Sequence, residues 1–162
     1  MGQKTVLLAE DDPAHAVLIR RALEQVPSKC HLEVVRDGRG VIDYLFATGS
    51  HAGRDPADAP HLILLDLKMP AMDGLQLLQV LRRVRSGEPP SLPPVVILTS
   101  SAEQPEVADA YRLGAHSFIQ KPMEFAELVE VMRRIVTYWL DLNCPPPGRC
   151  VGPPPDTVRT SQ

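Results

Sequence analysis

Leu62–Leu65 reads LILL, four apolar residues with nothing polar between them, and Asp66 follows at once. Three more such runs occur in the chain: Thr5–Ala9 (TVLLA), Val95–Leu98 (VVIL) and the weaker Leu32–Val35 (LEVV). They are too short to span a membrane, and they lack the alternation of a strand with one wet face. Short, continuous and rich in Val, Ile and Leu, they predict parallel strands covered on both faces. A fifth strand is expected at Ser117–Ile119, between turn residues.

Between these runs the apolar spacing becomes helical. Ala14–Val26 follows Asp12 as N-cap, with Pro13 at the first helical position. Arg39–Ala47 carries Val41, Ile42, Leu45 and Phe46 on one side. Gly74–Arg85 carries Leu75, Leu78, Leu81 and Val84, with Asp73 as its cap. Glu103–Leu113 stops at Gly114, a left-handed terminator, and Phe125–Leu142 is the last helix. Strand and helix alternate five times. This predicts an α/β chain, a doubly wound parallel sheet with helices on both faces. Gly49–Pro60 and Ser86–Pro94 are loops by their Gly, Pro and polar content. The domain is expected over residues 4–142, and the Pro-rich stretch 143–162 as a disordered or extended tail.

Composition narrows the setting. A net charge of −3 gives no general attraction to nucleic acid or to acidic membranes. No apolar run reaches the roughly 18 residues of a span, and MGQKTVLLAEDD lacks the parts of a secretion signal. Cys30, Cys144 and Cys150 show no metal-ligand spacing. Free thiols in a reducing compartment are expected, although Cys144 and Cys150 are near enough in sequence to bridge. The expected setting is cytoplasmic, with no membrane and no nucleic-acid partner.

In an open parallel sheet, ligands bind beyond the carboxyl ends of the strands. The first run ends in Glu10, Asp11 and Asp12, the third in Asp66, the fourth in Thr99 and the fifth in Lys121. Singly, each is an ordinary cap or turn residue. Together they set several carboxylates beside one ammonium, a repulsive cluster unless a cation joins it. Magnesium suits such a set, because it takes one or two carboxylates, water and phosphate oxygen. Asp11 and Asp66 are the expected direct ligands, with Glu10 acting through water. A carboxylate can also be a nucleophile toward phosphorus, with Lys121 and the Thr99 hydroxyl neutralising the transferred oxygens. Lys121–Pro122 is a candidate cis peptide that would aim the lysine into the crevice.

These residues resemble the receiver domains of response regulators. The resemblance covers about residues 4–142 through VLLAEDD (6–12), LILLDLKMPAMDG (62–74), VVILTSS (95–101) and AYRLGAHSFIQKP (110–122), in the family's order. It implies a flavodoxin-like five-stranded sheet of order 2-1-3-4-5. It implies Asp66 as phosphoacceptor, and Glu10, Asp11, Asp66 and the Lys68 backbone carbonyl as the Mg2+ set. Thr99 would be the switch hydroxyl, Lys121 the phosphate-binding ammonium and Phe118 the aromatic switch residue. Glu10 stands where Asp is commoner, and Phe118 has no hydroxyl, so its switch rests on packing. The expected partner is a sensor histidine kinase. AEDDPAHAVLIRRAL (9–23), the loop at 49–60 and the YWL near the end are similar to receivers that accompany phytochrome-like kinases.

Only about twenty Pro-rich residues follow Leu142, so output is expected through protein contacts. Along the last helix Phe125, Leu128, Met132, Ile135, Trp139 and Leu142 form the expected core stripe. Val129, Val136 and Leu140 widen it on one side, and Val131 and Tyr138 on the other, to an arc of roughly 200°, beyond what one packed face needs. This predicts a homodimer through the region Glu103–Leu142. No enzymatic activity is expected. An Asp-nucleophile phosphohydrolase wants a second Asp two positions on, and Lys68 stands there. A flavin module wants Ser, Thr and Gly in its first loop, where Glu10, Asp11, Asp12 and Pro13 stand. A receiver that works without phosphorylation would not need the complete acidic set. Stable output, phosphate sink and relay intermediate all remain open.

Overall fold

Five strands pair in the order β2-β1-β3-β4-β5, all parallel, in the computed structural model, which describes residues 2–85 and 92–146. They are β1 (Lys4–Ala9), β2 (Cys30–Val35), β3 (Leu62–Leu65), β4 (Val95–Thr99) and β5 (Ser117–Gln120). The helices are α1 (Pro13–Glu24), α2 (Gly38–Phe46), α3 (Gly74–Arg85), α4 (Gln104–Arg112) and α5 (Phe125–Val136). Part of the expected loop Ser86–Pro94, Cys150 and most of the Pro-rich tail lie outside the described residues.

The unbroken apolar runs have the anticipated cause. Val6, Leu8, Leu62, Leu64, Val96 and Leu98 point to α1 and α5, while Leu7, Ala9, Ile63, Leu65, Val95 and Ile97 point to α2, α3 and α4. Side chains alternate along a strand, so burying both faces demands apolar residues at every position. Every residue of β3 is fully buried.

The helix starts follow the capping chemistry. Ala14 N–H donates to Asp12 Oδ1 at 2.9 Å, with Pro13 in the first turn. Asp73 and Gln76 cap each other, each backbone N–H donating to the other's side chain at 2.9 Å. Gly114 takes φ +104° after α4. The long loop after α2 opens with a 3-10 turn at Gly49–His51. Arg54 then lies over the Tyr44 ring at 3.6 Å and donates to the carbonyls of Tyr44 and Asp58, which tethers the loop.

The last helix departs from expectation. Beyond Val136 the backbone widens into a π-helical segment, Thr137–Leu142, closed by Asn143 N–H donating to Tyr138 O at 2.7 Å. The wider winding meets the rest of the fold through the Leu140 carbonyl, which accepts from Lys4 Nζ, and through Asp141 Oδ2, which accepts from Ser28 Oγ at 2.6 Å. It also turns the apolar stripe. Leu128, Met132, Ile135, Val136 and Leu140 are the buried residues, whereas Leu142, expected in the core, is 68% exposed; Phe125, also expected there, is 38% exposed at the start of α5, ahead of the change in winding. A helix with a single 3.6-residue period would have kept Leu142 on the buried face.

Candidate functional site

β1 and β3 are neighbours, so the residues that follow them open on one crevice. Glu10 N–H donates to Val35 O at 2.9 Å and Asp66 N–H to Ala9 O at 3.1 Å, which carries the ladder one residue past each strand end. The backbone therefore holds Glu10 and Asp66 in place at 2% and 6% exposure, while Asp11 stands in solvent.

Lys121 reaches them from β5. Its N–H donates to Thr99 O at 2.7 Å, which continues the β4–β5 ladder and brings the side chain over the crevice. The Lys121–Pro122 peptide is trans, so strand register aims the lysine and the candidate cis bond is corrected. Lys121 Nζ lies 2.5 Å from Glu10 Oε2 and 3.1 Å from Asp66 Oδ2. Its third contact is His15 Nδ1 on α1, at 3.1 Å.

One ammonium thus serves two buried acids. Burial pushes the Glu10 carboxyl up from the ordinary carboxylate range, the Lys121 hydrogen bond and charge pull it back, and the charge of Asp66 raises it again. An oxygen from each of Glu10, Asp11 and Asp66 lies within 4.8 Å of the others, a spread that small side-chain rotations close onto one hard cation. The donors are all carboxylate oxygens, the set that suits magnesium or manganese and not a soft metal. Lys68 N–H donates to Asp66 Oδ1 at 3.4 Å, so its backbone runs past the carboxylate while its side chain is exposed.

Thr99 is the last residue of β4 and 1% exposed. Leu65 pairs with Ile97, which puts Thr99 one residue beyond the level of Asp66 on the adjacent strand. Phe118 pairs with Ile97 across β4 and β5, on the face that Thr99 shares two residues on. Its side chain packs against the α2–α4 side of the core, and its N–H donates to Tyr111 Oη at 3.1 Å. All seven residues singled out in the sequence therefore fall at or beside one crevice, with Phe118 at its far flank.

Three neighbours were not anticipated. His15 lies three residues after Asp12 and four after Asp11, the helical spacing that returns a side chain to the same face, and that spacing was the available signal. Gly74 was read only as a helix start. Its N–H donates to Leu67 O at 2.9 Å, and a Cβ there would sit 2.5 Å from Asp66 O. The role of Tyr111 toward β5 had no sequence signal.

A parallel sheet of this order, with an acidic set and a lysine at its switch point, defines a class of protein. The chain belongs to the response regulator receiver domain family, whose model matches residues 6–133, and so to two-component signalling. It is 36% identical over 141 residues to the probable methanogenesis regulatory protein FilR2 of Methanothrix harundinacea, covering 87% of this chain and 86% of that one. It is 29% identical over 138 residues to the response regulator Rcp1 of Synechocystis sp., covering 85% and 90%. Among solved structures it is similar to the phosphorylated cyanobacterial phytochrome response regulator RcpA, with TM-score 0.75, 30% identity and coverage of 88% and 98%. It is also similar to the bacteriophytochrome response regulator RtBRR, with TM-score 0.68, 40% identity and coverage of 91% and 87%. The Mn2+-bound form of Rcp1 matches with TM-score 0.73, 29% identity and coverage of 88% and 99%.

Proposed function

We propose that this chain accepts a phosphoryl group on Asp66 from a sensor histidine kinase, with Mg2+ at Glu10, Asp11, Asp66 and the Lys68 carbonyl. The observation that carries the reading is Lys121 Nζ bridging the buried Glu10 and Asp66 carboxylates at the β1/β3 switch. An Asp66 carboxylate oxygen attacks phosphorus in line, and the bond from phosphorus to the donor imidazole nitrogen breaks. That nitrogen keeps the electron pair, and Asp66 becomes an acyl phosphate. Lys121 turns from Asp66 to a phosphoryl oxygen, and the Thr99 hydroxyl donates to another. Glu10, Asp11 and Asp66 would hold a cation that neutralises the remaining charge. Phe118, on the same face as Thr99, follows its movement by packing.

Similarity to RcpA and RtBRR supports a phytochrome-like kinase as the donor. Lys68 at the place where a phosphohydrolase keeps its acid supports a signalling role without turnover. Output is read as protein contact, in the cytoplasm. The −3 charge supports no nucleic-acid partner, and among the described residues no helix is long and apolar enough to cross a membrane. The domain is read as residues 4–142, and the Pro-rich remainder as a tail.

The test is transfer of label from the kinase to the wild type and to Asp66→Asn, with and without Mg2+. Chelating the metal is expected to abolish labelling of the wild type. Undiminished labelling in excess chelator would count against the site as drawn.

The region Glu103–Leu142 is proposed as a homodimer face. Tyr111, Tyr138 and Leu142 are 50%, 52% and 68% exposed there, and no residue of β5 is fully buried. Sedimentation is expected to show concentration-dependent association. A strict monomer at high concentration, with and without a phosphoryl mimic, would remove the dimer.

A further inference from the structure

We infer that His15 is a positioning residue for phosphoryl transfer, acting through Lys121; the inference rests on the reading of Asp66 above. An ammonium has three N–H donors, and those of Lys121 meet Glu10 Oε2, Asp66 Oδ2 and His15 Nδ1. The first two acceptors change partners when the site works. Glu10 and Asp66 turn to the cation, and Asp66 becomes the acyl phosphate. His15 belongs to neither set. It is the one acceptor that keeps its hold on Lys121 while the two carboxylates are drawn away.

The ring is itself oriented. A nitrogen that accepts from an ammonium carries no proton, so the ring proton sits on Nε2. Nε2 faces Asp12 Oδ2 at 3.7 Å. Asp12 is fixed in turn as the N-cap of α1, accepting from Ala14 N–H. Asp12 thus stands on the outer side of the ring, beyond hydrogen-bond distance, and Lys121 on the inner, with the imidazole between the helix end and the crevice. A crevice of about 270 Å³, lined by His15, Leu18, Lys121 and Met123 among others, opens behind the lysine. Without His15 the ammonium has room to swing into it, away from Asp66.

The experiment follows the rate of Asp66 phosphorylation from a small acyl phosphate at saturating Mg2+, for the wild type, His15→Ala, His15→Asn and Asp66→Asn. His15→Ala is expected to lower the maximal rate roughly tenfold, the worth of one hydrogen bond to a charged group. Its half-saturating Mg2+ should stay within about twofold, because His15 holds no metal. His15→Asn offers its amide oxygen at the place of Nδ1 and is expected to recover most of the rate. The His15 side chain is 42% exposed, so both variants are expected to melt near the wild type. A His15→Ala rate equal to wild type, or a His15→Asn rate no better than His15→Ala, would overturn the role of His15 alone. An unlabelled wild type, or a labelled Asp66→Asn, would overturn the reading of Asp66 and this inference with it.

Discussion

Asp66→Asn is expected to lose phosphorylation completely while the fold survives. The amide has the size and shape of the carboxylate, so packing around this 6%-exposed side chain changes little. What goes is the anionic oxygen that Lys121 contacts, on a residue that its backbone bond to Ala9 O holds in place. Stability should not fall. Glu10, Asp11 and Asp66 crowd one another with one ammonium on the first and last, and removing one negative charge relieves their repulsion. The melting temperature is therefore expected to hold or to rise by a few degrees. Affinity for Mg2+ should drop at least about tenfold, since a direct carboxylate ligand becomes a neutral amide. Transfer of label and a thermal melt on the same preparation check both halves. Label retained on the variant would show that another residue accepts the group. A collapse in melting temperature would show that the carboxylate was needed for the fold.

Gly74→Ala should damage the same site from outside it. The added Cβ would lie 2.5 Å from Asp66 O, 2.8 Å from Leu67 Cα and 2.9 Å from Leu67 Cδ2. Two of these are backbone atoms, which cannot rotate aside as the end of a side chain can. Gly74 N–H also donates to Leu67 O, so the two segments cannot part without losing that bond. The expected loss is about 2–4 kcal/mol in urea unfolding, at or above the usual range for overpacking. In the molecules that stay folded Asp66 is displaced, and a shift near 1 Å is enough to lower phosphorylation about a hundredfold. Gly53→Ala is the control, because a Cβ there meets nothing within 4 Å. If the two variants unfold and label alike, the close approach of Gly74 to Asp66 has no consequence.

The fold was legible because the strands are covered twice. A run such as VVIL admits no one-sided reading, and each strand lies within one or two residues of its expected span. The gathering of the candidate site was legible because its residues sit at strand ends, where parallel topology brings them together without further knowledge of side chains. His15 escaped because its spacing from Asp12 is one that any residue in the first turn of a capped helix has, and so singles out no partner. Its meaning depends on where Lys121 returns, over a hundred residues later. Gly74 escaped because a glycine after a cap is common, and only the approach of Asp66 O makes it restrictive. The π-helical close of the last helix escaped for another reason. Apolar spacing reports which side is buried while the winding is regular, and the tie between Lys4 and Leu140 O acts where the winding changes.

One bond at the sheet's rim limits how copies of this molecule can meet. Lys121 N–H bonds to Thr99 O, so odd positions of β5 face β4 and the Phe118 N–H faces outward, where the Tyr111 hydroxyl accepts it. That rung is closed to a sixth strand. A partner approaching this rim meets the Tyr111 ring and hydroxyl there, not an open backbone donor.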